Sequence, residues 1–386
     1  MNRLRGIENL WTRSWNSFAN SDGGHGCEPG RGRERETVMV RMSAWLIGVM
    51  LLSFMLAFNA HSLEARRLGL NTTLRTFGEE IKYIQDLGVG TVRIPLQWQF
   101  IKIRPGEYDW SDIDRILKAA QTKQIEVVFT IRTTFRAQTK IDKPRKGVIQ
   151  TNPTSLDTKE WGYFAKTLAH RYRGQGIHYE IENKVNDGAF WKGTKEEYLE
   201  LLKDGYDVIK KADPTAKVLP SAMGCGIVRN LQSGSEGEKV WRWHDSWLQS
   251  ILSTKKFDVV NVHNYYFQSD IIANGHTFKN YLEHIHDVMK RSGLGNYPIW
   301  ITETGFVSVP AATAGRVDNG SYEKQAQWLL EAYQQAFESG VERIYQLLLR
   351  DRKEPYFGSM GLADMKGNPR PAWNALSQFR MEKEGE

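Results

Sequence analysis

Cysteine is scarce in this chain of 386 residues. Its two copies, Cys27 and Cys225, are too few and too far apart in sequence to form the disulfide framework of a small secreted domain. Strong composition biases are missing as well, since 40% of the residues are hydrophobic and 25% are charged. The net charge of +7 is a mild basic bias that permits an acidic polysaccharide partner without arguing for one. Collagen-like, disulfide-rich and wholly disordered chains are excluded, and one large globular core is expected.

The sequence also lacks the motifs of several other chemistries. It contains no Walker phosphate loop, no Gly-x-Ser-x-Gly elbow and no His-Glu-x-x-His zinc motif. His284 and His286 are two residues apart, a spacing that does not place two ligands on one helix face. Basic stripes interleaved with aromatic residues, which would suggest nucleic acid, are absent. We therefore expect no metal, no cofactor and no nucleic-acid partner, and nothing indicates an oligomeric state.

Long apolar runs are rare, and one lies near the N-terminus. Residues 44–58 are uncharged, and Ala60-His61-Ser62 offers small residues for cleavage after Ser62. This pattern is typical of a secretory signal peptide over residues 39–62, with translation starting at Met39. An uncleaved signal anchor is the alternative, and only then would the protein be held at a membrane. Either way the protein is expected to be exported, as a periplasmic, secreted or cell-surface protein.

Residues 1–38 show neither apolar periodicity nor a clear motif. We expect this segment to be disordered. A start codon assigned too far upstream would explain it, and a cytoplasmic tail on an anchored protein is the alternative.

From residue 63 to residue 386 the chain alternates short β-branched runs with longer stretches of helical period. Eight strands are predicted, at Arg67–Thr72, Thr91–Leu96, Glu126–Ile131, His178–Asn183, Lys217–Ala222, Asp258–His263, Pro298–Thr302 and Arg343–Leu349. Between them lie segments with one apolar face, such as residues 110–121. No linker or shift in composition divides this region, so it is predicted to be one domain.

Two folds share this alternation of strands and helices, the closed barrel and the open doubly wound sheet. Eight βα units favour closure, and no glycine-rich phosphate loop follows the first strand. We therefore predict a (β/α)₈ TIM barrel, whose active site would lie at the carboxyl ends of the strands.

One carboxylate follows the seventh predicted strand at such an end. The segment Pro298-Ile299-Trp300-Ile301-Thr302-Glu303-Thr304-Gly305 places Glu303 where its side chain would face the mouth of a barrel. A glycosidase needs an ionised carboxylate beside the anomeric carbon to attack it or to stabilise the charge that develops there. A strand-end glutamate can also simply cap a loop or pair with an arginine.

Several segments together resemble the glycoside hydrolases of clan A, with family 39 as the nearest match. They are residues 299–306, 91–114, 179–210, 258–265 and 343–373, so the resemblance covers nearly all of residues 67–376. It implies a retaining glycosidase that acts on a polysaccharide or oligosaccharide, with Glu303 as the nucleophile.

The fourth strand departs from the clan at one decisive position. Members end this strand with an Asn-Glu pair, in which the asparagine contacts the sugar and the glutamate serves as general acid and base. Here Asn183 fits, but Lys184 occupies the position of the glutamate. A lysine next to a carboxylate is expected to keep its proton rather than cycle it, and could pair with Glu303 and quench it. Glu182 lies two residues deeper in the strand, so we do not expect it to take over.

Three further residues match the clan around the nucleophile. Arg93 is charged within an apolar strand, and the resemblance implies that it orients Glu303, although a structural ion pair with Glu180 or Glu182 is compatible with the same position. His263 and Tyr265 match a His-x-Tyr pattern whose tyrosine hydrogen-bonds the nucleophile. Core residues with satisfied polar ends are the alternative for both.

Aromatic residues make up 11% of the chain and include 13 tryptophans. Trp98, Trp191 and Tyr266 fall in loops at the predicted barrel mouth, where sugar rings would stack on them. The eighth strand lacks the tryptophan that clan members usually place there, which weakens any inherited substrate assignment.

The sequence thus predicts a retaining glycosidase that is impaired by Lys184. The alternative is a non-catalytic glycan-binding barrel derived from an enzyme. A third possibility is an engineered or erroneous substitution at residue 184 of an active enzyme. The sugar, the linkage and the choice between internal and terminal cleavage stay open.

Overall fold

The computed structural model describes residues 67–133, 158–188, 190–224, 235–265, 278–308, 321–353 and 358–385. All of them fall in one compact unit, which spans residues 60–386. The predicted tail, the signal segment and Tyr266 lie outside the described residues. Among the described residues no helix is both long and apolar enough to cross a membrane.

Among the described residues, eight barrel strands alternate with eight longer helices, and a short helix, Trp98–Ile101, follows the second of these strands. The strands are β1 (Leu68–Asn71), β2 (Thr91–Gln97), β3 (Glu126–Arg132), β4 (Ile177–Ile181), β5 (Val218–Pro220), β6 (Val260–His263), β7 (Ile299–Thr304) and β8 (Val341–Gln346). The helices that follow them in turn are α1 (Phe77–Asp86), α2 (Ser111–Thr122), α3 (Thr158–Arg171), α4 (Lys195–Ala212), α5 (Ser235–Thr254), α6 (Phe278–Arg291), α7 (Tyr322–Glu338) and α8 (Pro371–Gly385). A short hairpin, Lys102–Arg104 with Glu107–Tyr108, lies between β2 and α2.

The strands form one parallel sheet in the order β5-β4-β3-β2-β1-β8-β7-β6. β1 pairs with β8, Leu68 opposite Ile344, so the first and last strands are neighbours. β5 and β6 meet at a seam that is held by the Asp258 N–H donating to the Val218 carbonyl at 2.8 Å and by Asn261 Nδ2 donating to the Pro220 carbonyl at 3.0 Å. The predicted (β/α)₈ TIM barrel is confirmed.

All eight predicted strands are present, and each differs from its predicted bounds at one end or both, by at most three residues. β5 is shorter than predicted. β8 starts and ends earlier, at Val341 and Gln346 rather than Arg343 and Leu349. Leu348 and Leu349 are buried beyond the sheet, where Leu349 accepts a backbone hydrogen bond from Ala363. The prediction extended this strand too far because these buried leucines form an apolar run that looks like a strand in the sequence.

The helices cover the barrel with the faces that the sequence predicted. α2 buries Ile113, Ile116, Leu117 and Ala120. α4 begins with a capping box in which the Thr194 hydroxyl accepts from the Glu197 N–H, while the Glu197 carboxylate accepts from the Thr194 N–H. This packing fixes the strands and therefore the positions of the residues at their ends.

The lower part of the barrel is filled by side chains. Val128, Leu219, Val259, Trp300 and Tyr345 form one buried cluster. The ring of Tyr345 lies against Gly69, where a Cβ atom would collide with it. Trp300 is fully buried. These side chains fill the interior of the barrel below the mouth.

Candidate active site at the barrel mouth

Glu303 lies near the carboxyl end of β7 and is almost completely buried, with 4% of its surface exposed. Arg93 reaches it from within β2, and residues at the carboxyl ends of β4 and β6 complete its surroundings, because parallel strands in a barrel bring these ends to one rim. The structure therefore brings Arg93, Asn183, Lys184, His263 and Tyr265 together around this carboxylate.

Arg93 is the centre of a buried hydrogen-bond network. Its Nη1 atom donates to Glu303 Oε1 at 2.9 Å and to Asn71 Oδ1 at 2.9 Å. Its Nε atom donates to Glu180 Oε2 at 2.5 Å, and Nη2 donates to Asn183 Oδ1 at 3.1 Å. The guanidinium thus contacts Glu303 and also forms an ion pair with Glu180.

The second oxygen of Glu303 has two close donors. Tyr265 Oη donates to Oε2 at 2.5 Å, and Lys184 Nζ lies 2.8 Å from the same atom. His263 Nδ1 is 3.4 Å away, and its Nε2 atom lies 3.1 Å from Thr302 Oγ1. Because Arg93 holds Oε1, both oxygens of the carboxylate are engaged.

The charges around Glu303 decide its protonation. Burial alone would raise its pKa, but the cations Lys184 and Arg93 hold the pKa well below its usual range. Burial also holds the pKa of His263 well below its usual range, so the ring is neutral. Glu303 is therefore ionised at neutral pH, as a nucleophile must be.

The chain leaves β4 in an unusual backbone conformation. Glu182 and Lys184 have φ angles of 69° and 53°, in the left-handed region that non-glycine residues seldom adopt. The Lys184 N–H donates to the Ala222 carbonyl at 3.0 Å, which ties this segment to the residues after β5. The ammonium group also lies 5.0 Å from the centre of the Phe190 ring. Lys184 is thus aimed at Glu303 by its backbone and by its neighbours.

Glu182 points away from this centre. It is fully buried and accepts hydrogen bonds from the backbone and the hydroxyl of Thr133. Burial raises its pKa although Arg132 and the Thr133 donors oppose this. With no exposed surface, it is not placed to protonate a leaving group at the mouth, as the sequence spacing predicted.

Arg132, at the end of β3, has 8% of its surface exposed. Its Nε and Nη2 atoms have no hydrogen-bond partner among the residues that the structure describes. Its guanidinium lies 5.3 Å from the Phe190 ring, the ring that Lys184 also faces. A second cation therefore lies on the Lys184 side of the site.

The two tryptophans predicted to stack on sugar are packed in the hydrophobic core. Trp98 and Trp191 are each only 5% exposed. Trp98 stacks on Phe164, and Trp191 donates from Nε1 to the Thr194 carbonyl at 2.8 Å. This packing argues against the predicted role, because neither indole presents an open face to the mouth.

Sequence reasoning missed Asn71, Thr130 and Asn261, three polar residues that complete the network. Asn71 donates to the carbonyls of Thr302 and Gln346, at 2.9 and 3.1 Å. Glu180 accepts from Thr130 Oγ1 at 2.6 Å and from Asn261 Nδ2 at 2.8 Å. Polar residues within apolar strands were the available signal. Because Glu180 and Glu303 are already neutralised by cations, this centre is not suited to hold a metal ion.

A family model described as "Glycosyl hydrolase catalytic core" matches residues 212–374. The match covers the strands from β5 to β8 and includes His263, Tyr265 and Glu303. A search of curated proteins finds no match.

Solved structures with a similar fold include several glycosidases. An exo-β-1,4-mannosidase from Opitutaceae bacterium strain TAV5 has a TM-score of 0.56 at 16% identity over 83% of this chain and 60% of its own. A GH5_18 protein from Bifidobacterium longum subsp. infantis has a TM-score of 0.58 at 14% identity, with 82% and 79% covered. A GH5_18 protein from Streptomyces cattleya in complex with GlcNAc has a TM-score of 0.57 at 14% identity, with 83% and 80% covered.

This chain spans about three fifths of the length of the mannosidase and of a β-galactosidase from Marinomonas ef1. At these identities the likeness establishes the barrel fold. The family match adds a similarity to the catalytic core of glycosyl hydrolases over residues 212–374.

Proposed function

We propose that this protein is a carbohydrate-active barrel with the site of a retaining glycoside hydrolase, in which Lys184 blocks turnover of ordinary glycosides. The observation that carries the proposal is the shell around Glu303, where Arg93 and Tyr265 hold a buried, ionised carboxylate at the end of β7. The match to the glycosyl hydrolase catalytic core supports the same reaction class. Assignment to family 39 rests on the sequence resemblance.

In the proposed first step, Glu303 Oε2 attacks the anomeric carbon and forms a glycosyl ester. The bond from that carbon to the leaving oxygen breaks, and its electron pair goes to the oxygen, which needs a proton. In the second step water attacks the ester and must lose a proton. A carboxyl group at residue 184 could supply the first proton and accept the second.

Lys184 interferes with both steps. Its ammonium group contacts the oxygen that would attack, so the ion pair must open before the ester can form. A protonated amine has no lone pair with which to activate water in the second step. Substrates whose leaving groups need no proton should therefore load Glu303 and then stall.

The test is hydrolysis of a panel of aryl glycosides by the full chain, Lys184→Glu and Lys184→Gln. Lys184→Gln is the matched control, because it removes the ion pair without supplying an acid. We expect Lys184→Glu to exceed Lys184→Gln by about 10²- to 10⁴-fold on glycosides with poor leaving groups. The sugar that is hydrolysed identifies the substrate.

Adding Glu303→Gln to Lys184→Glu should abolish this gain. Equal rates for Lys184→Glu and Lys184→Gln on every aryl glycoside would contradict the role of residue 184. Activity that survives Glu303→Gln would contradict the role of the nucleophile.

A non-catalytic glycan-binding barrel is the second candidate, and the Lys184–Glu303 contact favours it. This pair fills the acid/base position with a fixed charge. If Lys184→Glu hydrolyses nothing while the unaltered chain binds glycans on an array, this second function replaces the first.

Export remains part of the proposal. Residues 39–62 are proposed to direct the barrel out of the cytoplasm, either as a cleaved signal peptide or as an anchor. N-terminal sequencing of the protein from its native host distinguishes the two, because only cleavage gives a mature chain that begins near residue 63.

A further inference from the structure

A second group of ionisable side chains lies between α5 and α6, outside the barrel mouth. His244 and Asp245 come from α5, and His284 comes from α6. Asp245 Oδ1 is 2.8 Å from His284 Nε2 and 3.2 Å from His244 Nδ1. One ligand atom from each residue lies within 4.8 Å of the other two.

These separations fit the first coordination shell of a metal ion. Zinc binds imidazole nitrogen and carboxylate oxygen at about 2.0–2.2 Å, so two ligands of a tetrahedral zinc ion lie about 3.3 Å apart. The two distances to Asp245 Oδ1 are close to this value, and small side-chain rotations would centre an ion among the three atoms. Three protein ligands would leave a fourth position for water.

The surroundings also resemble those of a built site. His244 is only 2% exposed, and its other nitrogen, Nε2, lies 3.3 Å from Tyr281 Oη. Such an outer partner fixes the orientation of a ligating imidazole.

We propose that His244, Asp245 and His284 bind one divalent transition-metal ion, with Zn²⁺ as the ion that this donor set favours. The ion would cross-link α5 to α6 on the outside of the barrel. Among the described residues no other group of three such side chains gathers in this way. The site was hidden in the sequence because its ligands come from two helices, and only the pair His284 and His286 is conspicuous there.

The experiment uses the full chain after removal of metal with a chelator. Titration with Co²⁺, followed by visible absorption, and with Zn²⁺, followed by calorimetry, should each give one equivalent bound. Zn²⁺ should displace the Co²⁺ spectrum and raise the Tm, since a ligand that binds only the folded state stabilises it. Failure to bind either ion with one-to-one stoichiometry would overturn the proposal.

Matched variants locate the binding. Loss of an outer partner typically weakens metal binding about 10- to 100-fold, so Tyr281→Phe should do so and His284→Asn or Asp245→Asn should weaken it by more. His286→Asn is the control, because His286 lies on the same helix and contacts the Ser339 carbonyl at 2.7 Å instead. Circular dichroism of each metal-free variant verifies its fold. If folded Asp245→Asn and His284→Asn still bind as tightly as His286→Asn, the ion lies elsewhere and the assignment is wrong.

Discussion

The carboxyl ends of β7 and β4 both lie at the barrel mouth, and they shift the pKa of a glutamate in opposite directions. At the end of β7, Glu303 receives Arg93, Tyr265 and Lys184, and its pKa is held well below the usual range. At the end of β4, Glu182 is sealed from solvent, and burial raises its pKa. One end therefore stabilises a negative charge, and the other resists it.

Under the proposed function, this difference bears on the two carboxyl groups that a retaining glycosidase needs. Retaining hydrolysis needs one carboxylate that stays ionised and one that changes its protonation. The β7 end retains the first. The β4 end places Lys184 at the mouth and Glu182 behind it with no exposed surface, so under the proposed function no exposed carboxyl group there is available for the second role.

The largest loss of stability is expected from Arg93→Met, because Arg93 donates both to Glu303 on β7 and to Asn183 after β4. Its removal leaves Glu180 and Glu303 buried with less compensation, and we expect the free energy of unfolding to fall by about 3–5 kcal/mol. Urea unfolding measures this. Arg115→Met is the control, since Arg115 is 57% exposed and should lose no more than about 1 kcal/mol. Equal losses in the two variants would show that the network adds nothing beyond a surface pair.

A smaller effect is expected from Tyr265→Phe, which alters the β7 end alone. Removing the donor to a charged oxygen should cost about 1.5–3 kcal/mol in the free energy of unfolding. Tyr333→Phe is a matched control, because Tyr333 Oη is buried with no hydrogen-bond partner among the described residues. That variant should be neutral or slightly stabilising, and thermal unfolding of both proteins checks the pair. A similar cost at both positions would mean that the hydroxyl of Tyr265 does not stabilise Glu303.

The smallest effect is expected in the pH dependence of the free energy of unfolding, to which Glu303 and Glu182 should contribute with opposite signs. Because the folded-state pKa of Glu303 is lowered, its stabilising contribution is complete above the unfolded pKa of about 4.3 and is lost as the pH falls through the folded value. Because the folded-state pKa of Glu182 is raised, its contribution is complete below about pH 4.3 and is lost as the pH rises through the folded value.

Urea unfolding of Glu303→Gln and Glu182→Gln between acid and neutral pH tests this pair. The stability gap between wild type and Glu303→Gln should narrow toward acid pH. The gap between wild type and Glu182→Gln should narrow toward neutral pH. Gaps that change in the same direction would remove the contrast between the two strand ends.

Much of this architecture could be predicted from the sequence, because alternating apolar runs fix the strands and a closed parallel barrel places their ends together. Because the strand ends could be located, Glu303 and Lys184 could be compared with the residues at the same strand ends in clan A. The network of Asn71, Thr130 and Asn261 could not be predicted, since an isolated polar residue in a strand does not reveal its partner.

Loop residues were harder still to place. Trp98 and Trp191 lie in connections that were expected to be open, but each packs beside a neighbouring helix. The grouping of His244 with His284 depends on how two helices pack, and sequence periodicity gives only the buried face of each.

The left-handed backbone at residue 184 also bears on how such a site can evolve. A φ of 53° disfavours β-branched side chains, so the replacements tolerated there are a restricted set. Lysine and glutamate are both unbranched at Cβ and similar in reach, and one nucleotide change interconverts their codons. Under the proposed function, one substitution at residue 184 would therefore exchange a cation for a proton-transferring acid with little change in backbone shape.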